Sequence, residues 1–149
     1  MSLDVDVATN GTRPPVSREK LIDAARTVLR AERVRNALVS ITLLDKPAMA
    51  RMNTTHLGHR GPTDVISFGF TRATATDPVV GDIYICPAIG RANASARGEP
   101  IRRELTRLVV HGCLHILGYT HPEDGGREHS LMWSKQERLV ARLAAGRRR

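Results

Sequence analysis

The segment that decides the fold is His111–His121, which reads HGCLHILGYTH. His111 and His115 are four residues apart in an apolar run that is compatible with a helix from about Ile101 to Leu117. On an α-helix this spacing places both imidazoles on one face, close enough to bind the same ion. Gly118 suits the end of that helix, because helices commonly stop at a residue with positive φ. The spacing therefore predicts a helix that carries two metal ligands near its C-terminal end.

A third histidine, His121, follows the turn after this helix. Three imidazoles with one open coordination position are the ligand set of a catalytic zinc site, whereas structural zinc sites are closed by four protein ligands. A three-histidine set also accepts other divalent ions. We predict one Zn²⁺ per chain, bound by His111, His115 and His121.

The spacing also matches a known template in all but one position. The metzincin protease signature HExxHxxGxxH has three histidines and a glycine at the same offsets, but its glutamate is replaced here by Gly112. In the protease that glutamate is the general base, and a glycine cannot take the proton. The nearest carboxylates after the third histidine, Glu123 and Asp124, are the candidates for a base if their turn folds back. The pattern thus predicts the metal geometry without the usual peptidase chemistry.

Strand-like and helix-like segments alternate along the chain and end in two helices. This order predicts a single α+β domain over residues 1–149, with one small mixed β-sheet covered by helices and the metal-binding helix at its centre. Residues 1–15 and 146–149 are expected to be flexible ends. Within the first of these ends, a short edge strand is the alternative indicated by the alternating residues Leu3, Val5 and Val7.

The chain is strongly basic, with a formal net charge of +8. A positive charge of this size favours a polyanionic partner, so it directs the substrate prediction toward nucleic acid. Arg102, Arg103 and Arg107 lie off the apolar stripe of the motif helix and are expected in solvent or near a phosphate-bearing substrate. The basic tail Arg147–Arg149 could add non-specific affinity for RNA.

Cysteine content and hydropathy indicate the compartment. Two cysteines, Cys86 and Cys113, give no disulfide framework. The sequence has neither an apolar run of the roughly 20 residues of a membrane span nor a signal segment at its N-terminus. We therefore expect a cytoplasmic protein with no membrane association.

Four segments of the chain resemble one known family. HGCLHILGYTH resembles the HGxLHLxGYDH signature of the YbeY-type endoribonucleases, the bacterial rRNA maturation factors. PTDVISF at residues 62–68 is similar to the family's PTDVLSF block, and GDIYI at residues 81–85 is similar to its GDI strand. The pair Met52–Asn53 resembles the LN pair that precedes those blocks. The resemblance implies a metal-dependent hydrolase, with zinc on the three histidines, that cleaves single-stranded RNA during rRNA maturation and acts with the ribosome.

Two positions depart from the family pattern. Thr120 stands where the family has an aspartate, and Leu57 stands where many members have an arginine that contacts phosphate. Arg60 is close enough in sequence to replace that arginine. The resemblance thus implies catalytic roles for His111, His115 and His121 with zinc as cofactor, and the position of Arg60 makes it the fourth candidate of the catalytic set.

Two other functions remain open from the sequence. Leu57 and Thr120 leave room for a metal-stabilised RNA-binding or ribosome-binding assembly factor with little turnover. A metalloprotease that uses the same histidines is the other alternative, and it would have to work without a glutamate at Gly112. The oligomeric state is not indicated.

Overall fold

The computed structural model describes residues 2–122, 126–127 and 130–146. Within these residues the chain forms four strands and five helices. The strands are β1 (Leu3–Asn10), β2 (Ala37–Leu44), β3 (Val65–Phe70) and β4 (Val79–Ile85). The helices are α1 (Arg18–Ala31), α2 (Lys46–Leu57), α3 (Pro87–Arg97), α4 (Ile101–Ile116) and α5 (Leu131–Gly146).

The four strands form one mixed sheet in the order β1-β2-β4-β3. β2 pairs parallel with both β1 and β4, and β3 pairs antiparallel with β4 at the edge. This arrangement confirms the predicted α+β class with a single mixed sheet.

The N-terminal segment corrects one sequence expectation. Residues 3–10 were expected to belong to a flexible end, but β1 pairs with β2 from Leu3↔Ala37 to Asn10↔Leu44. The alternative of an edge strand is therefore right. Its physical basis is the alternation, because Val5 and Val7 are buried in the core while their neighbours face outward. Gly146, which was expected in the other flexible end, is the last residue of the C-terminal helix, and residues 147–149 lie outside the described residues.

Helix α4 occupies the centre of the structure, as predicted. It packs against α1, α3 and α5 and also against β3 and β4. Leu105, Val109 and Leu114 on α4 are fully buried in the main core. Ile41 and Ile83 contribute to the same core from the sheet. A helix fixed on so many sides can present functional side chains in defined positions.

Helix α2 covers part of the other face of the sheet. It starts at Asp45, whose side chain accepts a hydrogen bond from the Ala48 N–H at 2.9 Å. It ends at Gly58, which adopts the left-handed conformation (φ 69°). Leu57 is therefore the last helical residue, and it lies at the edge of the cleft described below.

Arg107 contradicts the expectation that it lies in solvent or near a substrate, since only 4% of the residue is exposed. It donates hydrogen bonds to Glu104 (2.7 Å), Glu137 (2.9 Å) and Glu99 (3.1 Å). Burial disfavours the charged form, but hydrogen bonds to Glu137 and Glu104 outweigh it and raise the pKa of Arg107. Sequence spacing could not reveal these partners, because two of them belong to segments outside α4.

We expect Arg107→Leu to lower the free energy of unfolding by about 3–5 kcal/mol, because it removes the buried partner of Glu104 at 2.7 Å and leaves only Arg97, at 3.9 Å. Urea unfolding monitored by circular dichroism measures this loss. Arg102→Leu is the matched control, since Arg102 is exposed on the same helix and makes no ion pair with a described residue. Equal stabilities for the two variants would contradict a structural role for the buried pair.

None of the described helices combines the length and the apolar character that crossing a membrane requires.

Candidate metal centre

The three histidines of the motif converge at the C-terminal end of α4. His111 and His115 lie one helical turn apart, with ring centroids separated by 4.6 Å. Gly118 has φ 100°, as the sequence predicted, and the turn brings His121 back to within 5.0 Å of both rings. One ligand atom from each histidine lies within 4.8 Å of the others, so the group could hold a metal ion.

Hydrogen bonds fix the tautomer of each ring. The Nδ1 atom faces an oxygen in every case: Gln136 Oε1 for His111 (2.7 Å), the Tyr119 carbonyl for His115 (2.9 Å) and the Pro122 carbonyl for His121 (3.1 Å). Carbonyl oxygens can only accept, so each neutral ring carries its proton on Nδ1. The Nε2 lone pairs are left to bind a ligand.

Two of the Nε2 atoms also have the spacing that a metal ion requires. His115 Nε2 and His121 Nε2 are 3.2 Å apart. With both protons on Nδ1, no hydrogen lies between these atoms, and a cation would relieve the repulsion of their lone pairs. Zn–N bonds of about 2.0–2.1 Å in a tetrahedron place two nitrogens roughly 3.4 Å apart. The donor set therefore fits zinc or a similar divalent ion.

The electrostatics of the site favour the neutral imidazoles that a metal needs. Burial lowers the pKa of His111 to about 4, and the nearby His115, His121 and Arg127 act in the same direction. Burial also lowers the pKa of His115, helped by His121 and Arg127. Protons therefore compete weakly with a metal ion near neutral pH.

Gln136 is a part of the site that the sequence prediction missed. It is 2% exposed, accepts from His111 through Oε1 and donates through Nε2 to Glu137 at 3.0 Å. Its signal in the sequence is a polar residue in the apolar stripe of α5, between Met132 and Leu139. The contact holds the His111 ring with Nε2 toward the other two histidines.

We expect Gln136→Leu to weaken metal binding by about 10–100-fold, because it removes the acceptor that orients His111. Titration of the metal-free protein with Zn²⁺ against a competing chelator measures the dissociation constant. Gln136→Glu is the matched control, since its carboxylate can still accept from Nδ1. An unchanged affinity in Gln136→Leu would show that the ring is held by packing alone.

Tyr119 links the site to α1. Its carbonyl accepts from His115, while its hydroxyl donates a short hydrogen bond to Glu32 at the end of α1. Lys135 on α5 also donates to Glu32, at 3.0 Å. Burial alone would raise the pKa of Glu32, but these two hydrogen bonds lower it overall. The carboxylate thus anchors the turn that carries His121.

We expect Glu32→Gln to destabilise the protein at pH 7 and to have little effect in acid. A carboxyl group whose pKa is lowered on folding contributes stability above its unfolded pKa, near 4.5, and loses it as the pH falls through the folded value. Urea midpoints of the variant and the wild type at pH 7 and pH 3 measure the difference. Glu19→Gln, at the exposed start of α1, is the matched control, because Glu19 makes no ion pair with a described residue.

A cleft of about 380 Å³ opens in front of the histidines. Its other walls are the edge strand β3 with the residues just before it, Leu57 at the end of α2, and Arg127. Asp64 lines this wall, but both its oxygens are engaged, by the Val65 N–H (2.8 Å) and by the Asn93 amide (3.0 Å). Asp64 therefore shapes the cleft through hydrogen bonds.

Two arginines differ in their position relative to the cleft, and the predicted catalytic role of Arg60 stays a prediction. Arg60 is exposed in the loop after α2 and is not among the residues that line the cleft. Arg127 is the only arginine that lines it in the described part of the chain. Leu57 does line the cleft, so this departure from the family pattern changes its wall directly. The proposed bases Glu123 and Asp124 lie outside the described residues.

The fold and the site together define a class of protein: a small α+β protein with a three-histidine centre on its central helix and a cleft beside it. Comparison with known proteins then identifies the family. The family model described as Endoribonuclease YbeY matches residues 7–144. The chain belongs to the YbeY endoribonuclease family, which confirms the resemblance drawn from the sequence motifs.

Individual relatives agree with this assignment. The chain is 36% identical to an Endoribonuclease YbeY of Thermobifida fusca, with 93% of each protein covered. It is 37% identical to that of Frankia alni, with 92% of this chain and 81% of the relative covered. A solution structure from Thermotoga maritima matches the fold with a TM-score of 0.63 at 25% identity, covering 97% of this chain and 91% of that one.

Proposed function

We propose that this protein is a zinc-dependent endoribonuclease that cleaves single-stranded RNA during rRNA maturation, acting in the cytoplasm with the ribosome. The observation that carries the proposal is the convergence of three imidazoles, each oriented through Nδ1, beside an open cleft. The family and its endoribonuclease relatives support RNA as the substrate. The positive net charge of +8 suits the same substrate.

The residues of the site divide into those that would hold the ion and those that would bind RNA. His111, His115 and His121 would hold it through Nε2. A bound divalent ion supplies a Lewis acid, which acidifies water and stabilises charge on phosphate oxygens. Arg127 would bind the phosphodiester in the cleft, because a guanidinium can donate two parallel hydrogen bonds to phosphate. We assign Arg60 to RNA backbone that extends beyond the cleft.

The test is cleavage of a labelled single-stranded RNA oligonucleotide by protein loaded with one Zn²⁺ per chain. We expect cleavage that stops on chelation, returns with added Zn²⁺, and is much slower on the same sequence in a duplex. Casein serves as the comparison substrate and should remain intact. Intact RNA with one metal bound would overturn the nuclease proposal, and cleaved casein would favour the protease.

An assembly factor with little turnover remains the second candidate, because Leu57 replaces a phosphate-binding arginine in the wall of the cleft. This candidate predicts salt-sensitive binding to rRNA without cleavage. Leu57→Arg distinguishes the two functions. If the wild type is inactive and Leu57→Arg cleaves RNA, the result supports the assembly factor. If the wild type already cleaves RNA, the assembly factor with little turnover is excluded.

A further inference from the structure

A long groove lies between α1 and the C-terminal half of α5, over the N-terminal half of α4. It consists of two adjoining cavities of about 720 Å³ and 510 Å³. Lys20, Thr106 and Leu143 line both cavities, which are therefore continuous. We refer to this surface as the α1–α5 groove.

The groove opens on the opposite side of α4 from the metal centre. At about 100° per residue, Thr106 lies about 140° around the helix from His111 and about 180° from His115. None of the residues that line the groove also lines the histidine cleft. The α1–α5 groove is thus a separate surface.

The groove is lined by an excess of positive charge. Its cationic residues are Lys20, Arg30, Arg102, Arg103 and Arg142, and its acidic residue is Asp23. Arg103 is paired with Glu99 at 3.2 Å, whereas the other four cations form no ion pair with any described residue. Cations that are merely solvated are common on a basic protein, but here four of them surround one concave surface. A concave surface concentrates the electric field of the cations that surround it, so the groove attracts anions.

The remaining lining residues indicate the type of anion. No aromatic side chain lines the groove, and its apolar residues include Leu143, Ala144 and Val140. Protein interfaces rely on aromatic anchors at their centre. Phosphate contacts of nucleic acid instead rely on Lys and Arg and need no apolar centre. The composition of the groove favours a phosphate backbone over an acidic protein.

We propose that the α1–α5 groove is a second RNA-binding site, which holds the phosphate backbone of an RNA segment outside the cleavage cleft. The inference rests on the proposed function only in taking RNA as the ligand. Because the groove and the cleft lie on opposite sides of α4, one RNA must reach around the protein to occupy both. The site would therefore serve long or structured RNA and not a short oligonucleotide.

The test compares the wild type with Lys20→Glu/Arg142→Glu, using an RNA hairpin with a single-stranded extension and a short single-stranded oligonucleotide. We expect hairpin binding to weaken by at least about 10-fold at low salt, with the slope of log K against log salt reduced by about 2. Metal content and cleavage of the short oligonucleotide should not change. Circular dichroism verifies that the variant folds.

The matched control is Arg51→Glu/Arg91→Glu, which makes the same charge change at exposed positions away from the groove. Equal weakening of hairpin binding by both variants would overturn the proposed groove site and assign the effect to net charge. Unchanged hairpin binding by the groove variant would also overturn the proposal. This includes the case in which the variant keeps hairpin binding but loses binding to anionic vesicles. If neither the wild type nor the groove variant cleaves RNA but the groove variant alone loses hairpin binding, the result supports the groove as an RNA-binding site and contradicts the nuclease proposal.

Discussion

A His115→Ala variant is expected to lose the bound metal ion and RNA cleavage together, with activity reduced by more than about 100-fold. Losing a residue that only orients a ligand typically costs 10–100-fold, so losing the ligand itself should cost more. His115 is central to the set, since its Nε2 lies 3.2 Å from that of His121 and its ring packs against His111. The two remaining histidines cannot complete a catalytic zinc site.

The measurement pairs metal content per chain, by mass spectrometry, with cleavage of a single-stranded RNA oligonucleotide. His59→Ala is the matched control, because His59 is exposed and is not part of the histidine group. The control should keep both metal and activity. Cleavage that persists in metal-free His115→Ala would mean that the activity comes from a contaminant or does not depend on the metal.

The sequence predicted the convergence of the three histidines well because its geometry is local. His111 and His115 are related by one helical turn, and Gly118 provides the positive φ that returns His121. Regular helix geometry and one turn residue are enough to bring the three rings together. The mixed sheet was predictable for a similar reason, since strand alternation is a local pattern.

The parts that the sequence did not predict depend on contacts between distant segments. Gln136 meets His111 across 25 residues, and Arg107 meets Glu137 across 30 residues. A polar residue in an apolar stripe signals that such a contact exists, but spacing alone does not name the partner. Arg127 was missed because it follows the motif in an irregular segment, where no periodicity places its side chain. Burial of a charge is decided by its partners, and Arg107 has three.

Gly112 shows why the protease template fits the histidines but not the chemistry. The residue is buried against β4, and a Cβ atom added there would lie 2.9 Å from Ile83 Cγ2. Real Cβ atoms essentially never approach so closely. The glutamate of the metzincin signature therefore has no room on this helix, which disfavours the protease alternative on steric grounds.

We expect Gly112→Glu to abolish folding. Overpacking a core costs about 1–3 kcal/mol, and an unpaired buried carboxylate costs several more. Together these costs approach the whole stability of a typical domain, about 5–15 kcal/mol. Gly112→Ala should be far milder, because the better helix propensity of alanine, about 1 kcal/mol, offsets part of the clash with Ile83.

Circular dichroism and urea unfolding of the two variants measure these effects. Gly146→Glu is the control, since nothing lies within 4 Å of a Cβ at that position at the end of α5. A folded Gly112→Glu protein that cleaves casein would reverse the conclusion, because it would show that the sheet can move and admit the protease base. An unfolded Gly112→Glu beside a stable Gly146→Glu would instead mean that packing of α4 on β4 excludes that base, so this fold must activate water by other means.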